Sequence, residues 1–221
     1  MELNQEPFQA FLSSREGTPL FVPGCLRVRT LSWKAQGGCE RALLDLENAP
    51  GSFSQWAELI GKSVRIYNRF GSLVWWGYVQ SAAREEGAYA LLRSLDDLAN
   101  RVAVSYTELQ PQGENFGVAK RTEWAEDVRS AAVYGQKDML LDGGLIAESS
   151  ALQLRDLTLA RLAEPAARLS LFAGAKEDPG RRAERTRAAV RLECLGWYAR
   201  LGWRVYQPPT GVLGNASAQQ G

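Results

Sequence analysis

The first hundred residues alternate short apolar stretches with polar or glycine-containing breaks, a pattern typical of short β-strands. Residues 26–33 alternate apolar and polar side chains, and residues 42–46 form a second short apolar stretch. Residues 64–67 and 73–79 flank the loop sequence AsnArgPheGlySer, which predicts a β-hairpin with Gly71 in its turn.

Three further segments continue this region. Trp56, Leu59 and Ile60 have helical spacing and predict one short helix, and residues 88–94 and 101–109 read as additional strands. Six short strands around one small helix predict a closed or nearly closed barrel, because closure removes the exposed edges that short strands would otherwise present.

The composition changes at residues 110–120, which are mostly polar with glycine and proline and therefore predict a linker. Two helices are expected after it, one capped by Thr122 and one that starts at Ser149 or Ser150 and stops at Pro165. The leucines of the second helix are expected to form a core face. Strands are expected at residues 169–173, 188–195 and 203–207.

These elements predict a mainly β protein with α-helices, of the α+β class. The expected organisation is a short-stranded β-barrel N-terminal domain, a linker, a mixed helical and β second domain, and a tail that is flexible or bound to a partner. The barrel domain is expected at residues 1–109, the linker at residues 110–120, the second domain at residues 121–207 and the tail at residues 208–221.

Charge is balanced along the chain of 221 residues. Lys and Arg number 26, Asp and Glu number 25, and the formal net charge is +1, so we expect no sequence-specific nucleic-acid partner. The basic stretch Arg181 to Arg187 is interrupted by Glu184 and is expected to be a solvated loop. We expect no membrane partner, since no apolar run approaches the roughly 20 residues of a membrane span, and no signal peptide, since the start MetGluLeuAsnGlnGlu carries acids where a signal peptide needs a positive region.

Histidine is absent from the sequence, which excludes a Ser/His/Asp triad, a Cys/His dyad and a His-ligated metal. The cysteines Cys25, Cys39 and Cys194 lack the short spacing of a thiolate metal site. No glycine loop of a phosphate-binding kind is present. We therefore expect no cofactor and no metal.

Two pairs of adjacent acids, Asp96 with Asp97 and Glu85 with Glu86, are the candidates for carboxylate chemistry. A glycosidase needs two carboxyl groups that flank one bond at roughly 5 to 10 Å, whereas adjacent side chains on a strand point apart. Helix capping and a solvated turn are the expected roles, so the protein is expected not to be an enzyme and to have no catalytic residues.

Seven tryptophans are a large number for one small core. Trp75 and Trp76 are adjacent in a predicted strand, so one should face the core and the other a surface, while Gly77 should allow a close backbone approach. Exposed aromatic residues often supply interface energy. The candidate interface residues are Trp75, Trp76, Tyr78, Trp33 and Trp197, and the candidate structural turn residues are Gly71 and Gly77.

The first half of the chain contains the motifs LeuSerTrpLysAlaGlnGlyGly at residues 31–38, GlySerLeuValTrpTrpGlyTyrVal at residues 71–79 and LeuAspAspLeuAlaAsnArgVal at residues 95–102. The second half contains TrpAlaGluAspValArgSerAlaAlaValTyrGly at residues 124–135 and GlyTrpTyrAlaArgLeuGlyTrpArgValTyr at residues 196–206. In this order the motifs resemble those of the tail-tip and baseplate hub proteins, or minor tail proteins, of bacteriophages, and the last is similar to the family's Trp-rich hairpin.

The resemblance implies a structural subunit of a phage tail tip or baseplate hub, a ring-forming adaptor between tail tube and tip or spike. It implies a homo-oligomer, with a trimer suspected, and neighbours among tail tube, tape-measure or spike proteins. The location would be the virion tail tip, assembled in the host cytoplasm. Family members usually continue beyond the Trp-rich hairpin, whereas this chain passes into a glycine- and glutamine-containing tail.

The alternative is a carbohydrate- or receptor-binding tail module that uses Trp33, Trp75 or Trp197 as a platform. The two functions differ in where the tryptophans lie. A hub buries them between chains or domains, and a lectin displays them around a concave site with polar hydrogen-bonding groups.

Overall fold

A computed structural model describes residues 8–22, 24–36, 38–47, 55–86, 89–108, 117–171 and 189–205. Strands dominate the described part. They are β1 Phe8–Ser13, β2 Cys25–Lys34, β3 Gly38–Glu47, β4 Ser63–Asn68, β5 Leu73–Glu86, β6 Tyr89–Ser94, β7 Arg101–Glu108, β8 Val118–Arg121, β9 Ala125–Glu126, β10 Asp138–Leu145, β11 Ala167–Leu171 and β12 Ala189–Gly196. The helices are α1 Val128–Tyr134 and α2 Glu148–Leu162, with 3₁₀ segments at Gln55–Leu59 and Trp197–Trp203.

The larger sheet is antiparallel and has the strand order β1-β4-β5-β12-β3-β2, with β6 added to β5 and β11 to β6. It curls into a half-barrel, and apolar residues of its two end strands, β1 and β2, pack in the same core cluster. Closure by a β1–β2 hydrogen-bonded ladder is not present among the described residues. The expected barrel is therefore confirmed in part, as a curled sheet.

The core of the half-barrel consists of inward-facing side chains of the antiparallel strands. Trp75, Val64, Leu44 and Leu192 are each 0% exposed, and the 3₁₀ segment Gln55–Leu59 contributes further apolar side chains from the side. Burial of aromatic and aliphatic surface on this scale is the main favourable term for such a sheet.

The smaller sheet is built around β7, which pairs in parallel with β10 and antiparallel with β8 and β9. Helix α2 packs across β7, where Val104, Tyr106 and Ala151 form a second apolar cluster. No helix within the described ranges is long and apolar enough to cross a membrane.

The predicted division into two domains at residues 110–120 is not confirmed. Strand β12, from the second half of the chain, lies between β3 and β5 of the first half. Strand β7, from the first half, is central in the smaller sheet. Apolar alternation identifies a strand but not its neighbours in space, so both halves contribute to both sheets. Residues 109–116 and the expected tail at 208–221 lie outside the described part.

Two helix predictions were wrong in detail. Helix α1 is capped by Asp127, whose carboxylate accepts a hydrogen bond from Ser130 N at 2.8 Å, and not by Thr122. The Thr122 hydroxyl instead accepts from Val104 N at 3.0 Å. The leucines of α2 do not form a core face, since Leu157 is 71% exposed and Ala151 is the buried residue of this helix.

The Trp-rich segment near the end of the described chain is also different from expectation. Trp197–Trp203 forms a 3₁₀ helix instead of one arm of a hairpin, and the predicted strand at 203–207 is not formed over its described residues. Strands β1, β8, β9 and β10 were not predicted; β8 begins inside the expected linker, and β9 lies where the first helix was expected. Strand β10 contains Gly143 and Gly144, which obscure its alternation. The basic stretch Arg181 to Arg187 lies outside the described residues.

Candidate functional site

Trp75 and Trp76 lie on opposite faces of β5, as strand alternation predicts. Trp75 is paired with Ile66 of β4 and is 0% exposed, whereas Trp76 is paired with Arg65 and is 54% exposed. Alternation therefore places one indole in the core of the half-barrel and the other on its outer face.

Gly77 occupies a position where two backbones meet. It pairs with Gly196 of β12, and a Cβ atom built on Gly77 would overlap the Leu195 carbonyl oxygen and lie 2.6 Å from Cη2 of Trp75. Gly71 has a different role, since it has φ +76° in the β4–β5 turn, and a Cβ atom added there would have no heavy atom within 4 Å.

A row of exposed side chains crosses the outer face of three neighbouring strands. Phe11 of β1 is the register partner of Arg65 of β4, which is in turn the partner of Trp76 of β5. Phe11 and Trp76 are each 54% exposed, and Tyr67 packs edge-on to Phe11 with the ring centroids 5.8 Å apart. We call Phe11, Arg65 and Trp76 the outer-face row. Arg65 makes no ion pair or side-chain hydrogen bond within the described ranges.

Trp76 also lines a concave surface, which we call the aromatic groove. The Trp33 indole, 51% exposed, is held there by a hydrogen bond from its Nε1 to Val74 O at 3.1 Å. The Trp76 backbone N–H donates to Cys39 Sγ at 3.4 Å. The groove has a volume of about 400 Å³ and is lined by Trp33, Gly38, Cys39, Leu73, Val74, Trp76, Trp197 and Tyr198.

A second concavity, the polar groove, shares Cys39 and Tyr198 with the aromatic groove and has a volume of about 570 Å³. Its charged lining consists of two ion pairs. Lys34 Nζ lies 2.8 Å from Glu40 Oε1, and Arg41 Nη2 lies 2.8 Å from Glu193 Oε1. The hydrogen bond from Lys34 lowers the pKa of Glu40 from its usual value, which keeps this carboxylate ionised.

Two of the candidate interface residues are not on the surface. Trp75 and Tyr78 are both 0% exposed. Trp75 faces the core of the half-barrel, whereas Tyr78 lies on the same face of β5 as Trp76 and is covered there by Trp197 and Trp203 of the 3₁₀ segment. The platform hypothesis for Trp75 is wrong because this residue is buried. Trp33 and Trp76 are exposed, and Trp197 is half-buried with its ring centroid 5.3 Å from that of Tyr78.

Arg200 fills a cage of three aromatic rings beneath the aromatic groove. Its guanidinium carbon lies 4.2 Å from the ring centroid of Tyr78, 4.5 Å from that of Trp197 and 4.6 Å from that of Trp203. Burial lowers the pKa of Arg200 to about 10 and raises the pKa of Tyr78 to about 12. The cage attaches the 3₁₀ helix to the half-barrel and was not foreseen from the sequence.

A ladder of charges crosses four strands of the larger sheet. Asp45 of β3 accepts from Arg29 of β2 at 2.6 Å and from Arg191 of β12 at 3.3 Å. Arg191 also donates to Glu85 of β5 at 3.3 Å. Arg191 of β12 therefore forms ion pairs with acidic residues of both neighbouring strands, β3 and β5.

The acids considered for glycosidase chemistry have structural contacts. Asp96 accepts hydrogen bonds from Gln80 Nε2 and Ser94 Oγ, both at 2.7 Å. Asp97 is paired with Arg168, and Glu85 with Arg191. The side chain of Glu86 lies outside the described part.

Asn100 is a buried polar residue whose role the sequence did not reveal. Its Nδ2 donates to Gly135 O at 2.9 Å and Ser130 Oγ at 3.2 Å, while its Oδ1 accepts from Lys137 N at 2.7 Å. It connects the start of β7 to both ends of α1 and the residue before β10. In the sequence, the only indication that Asn100 matters was its position in the motif at residues 95–102.

Within the described ranges, no group of three or more Cys, Asp or Glu residues is arranged to hold a metal ion. No family model, curated protein or solved structure matches this chain.

Proposed function

We propose that the protein is a non-catalytic structural subunit of a bacteriophage tail tip or baseplate hub, a ring-forming adaptor between the tail tube and the tip or spike. The β-rich half-barrel is compatible with the barrel that the resemblance implies. Two of the motifs that carry this resemblance coincide with tight structural features, the β2–β3 hairpin and the β4–β5 hairpin with Gly77.

The outer-face row is the observation that best supports this function. Two aromatic side chains, each 54% exposed, flank an arginine across adjacent strands. Aromatic residues and arginine are the types enriched at the centre of protein interfaces. Because Arg65 has no acidic partner within the described part, a docked subunit would supply a carboxylate to it.

Self-association is consistent with the overall charge. A formal net charge of +1 produces little long-range repulsion between copies. The resemblance suggests a trimer, with tail tube, tape-measure or spike proteins as further neighbours in the virion tail.

The oligomeric state tests the proposal. Light scattering over a range of concentrations, with negative-stain imaging, should show ring-shaped oligomers of the full chain. Phe11→Ser and Trp76→Ser should each reduce assembly while the protein stays folded. Leu157→Ser removes a similarly exposed apolar side chain from α2, 71% exposed, and is the matched control that should assemble normally.

A protein that remains monomeric at all concentrations and is absent from tails purified from its phage would contradict the adaptor function. Normal assembly of both Phe11→Ser and Trp76→Ser would instead show that the outer-face row is not the contact surface.

A further inference from the structure

The aromatic groove and the polar groove adjoin each other, since Cys39 and Tyr198 line both, and we call the two together the depression. Their volumes of about 400 and 570 Å³ lie in the range of small-molecule binding sites. One end of the depression is aromatic and the other is charged. We propose that this depression binds an uncharged oligosaccharide, a function that goes beyond assembly.

The aromatic end offers stacking surfaces that are already fixed in place. The hydrogen bond from Trp33 Nε1 to Val74 O orients the indole without covering its face, and 51% of the residue remains exposed. Tyr198, 62% exposed, lies at the junction with the polar end. The C–H face of a pyranose ring packs well on such rings, and a fixed ring loses little conformational entropy on binding.

The polar end offers hydrogen-bonding groups of both kinds. Lys34 and Arg41 have only donors, and the carboxylates of Glu40 and Glu193, each in an ion pair, have only acceptors. Sugar hydroxyl groups both donate and accept, so each can contact either member of an ion pair. The oligosaccharide would therefore bond to these groups without breaking the pairs.

The balance of charge in the polar groove favours an uncharged ligand. Two cations and two anions are paired at 2.8 Å each, which leaves no excess of either sign. A nucleic acid or an anionic glycan would need an excess of cations for its phosphate or carboxylate groups. A wholly apolar peptide would cover the ion pairs without replacing their hydration, which is costly.

Isothermal titration with neutral oligosaccharides of glucose, galactose, mannose and N-acetylglucosamine tests this site. At least one is expected to bind with a Kd of about 1 mM or lower, with little dependence on salt because the ligand has no charge. Tyr198→Ser and Trp33→Phe should be folded by circular dichroism. Tyr198→Ser should weaken binding by about tenfold or more, and Trp33→Phe by less because a stacking ring remains.

Phe11→Ser is the matched control, because Phe11 belongs to the outer-face row and lines neither groove. It should bind the oligosaccharide normally even where it reduces ring formation, so failure of assembly and failure of sugar binding are separable. Absence of binding to every neutral oligosaccharide, or tighter and salt-dependent binding of an anionic one, would overturn the proposal. Loss of rings in Tyr198→Ser without any sugar binding would identify the groove as a protein contact instead.

Discussion

Gly77 faces the carbonyl oxygen of Leu195 across the β5–β12 pair so closely that a Cβ atom at Gly77 would overlap it. The absence of a side chain at this position lets the last described strand of the larger sheet approach the Trp75 ring. The motif at residues 71–79 therefore contains two glycines with different roles: Gly71 forms the turn, and Gly77 leaves room for the neighbouring backbone.

Gly77→Val is expected to destabilise the protein by at least about 3 kcal/mol, because the new side chain must displace backbone and the Trp75 indole. Urea unfolding followed by fluorescence measures the change. Gly71→Ala is the control: its Cβ would meet no atom within 4 Å, so only the cost of φ +76°, about 1 kcal/mol, is expected. Equal stability of Gly77→Val and the wild type would refute the close approach.

Trp75→Ser and Trp76→Ser should separate folding from surface function. Trp75 is fully buried, so its loss leaves a cavity and should cost about 3–5 kcal/mol. Trp76 is 54% exposed, and its loss should cost less than about 1 kcal/mol. Thermal unfolding of both variants measures the difference, and similar melting temperatures would mean that the two indoles are not on opposite faces.

We expect the folded protein to lose stability at alkaline pH because of Tyr78. Burial raises the pKa of Tyr78 to about 12, above the usual value of 10.0 that applies when the chain unfolds. Below pH 10 the phenol is protonated in both states. Between pH 10 and 12 it ionises in the unfolded chain first, so unfolding becomes more favourable as pH rises.

Comparison with Tyr78→Phe isolates this effect, since ionisation of other groups is largely common to both proteins. The wild type should lose about 2 kcal/mol relative to Tyr78→Phe between pH 8 and 12, after allowance for solvent screening. The free energy of unfolding in urea at several pH values measures it. Parallel curves for the two proteins would show that the Tyr78 hydroxyl is not desolvated.

Asn100→Asp should be strongly destabilising because it replaces a buried amide donor with a carboxylate that faces the Gly135 carbonyl oxygen. We expect a cost of about 3 kcal/mol or more at neutral pH. The same substitution at Asn68 should change stability by less than about 0.5 kcal/mol, since there only the side-chain oxygen is used, accepting from Phe70 N and Ser72 N. A similar effect at both positions would contradict the assigned network.

Local features of the fold were predictable from the sequence. The β4–β5 hairpin and the placement of Trp75 and Trp76 on opposite faces follow from turn chemistry and alternation, because both depend on residues close together in the chain. Which of the two indoles faces outward could not be predicted in this way. The helix start was misplaced because Thr122 and Asp127 are both good caps, and only tertiary contacts decide between them.

The candidate site was predictable only as single residues. Trp33 and Trp76 were among the candidate interface residues, but the pairing of Phe11 with Arg65 and the second groove depend on which strands become neighbours. Tyr78 was misassigned because the 3₁₀ segment that covers it is distant in sequence, and alternation gives the face of a residue but not what packs on that face. The Arg200 cage joins residues distant in sequence and left no local signature.

The insertion of β12 between β3 and β5 also governs how the chain folds during synthesis. The contact between Arg191 and Asp45 spans 146 residues, so this part of the sheet forms only after residues 189–196 have left the ribosome. Until then β3 and β5 have unpaired edges, which can pair with a strand from another chain. A nascent or truncated chain lacking residues 189–196 would therefore be prone to aggregation, or could borrow β12 from a second copy.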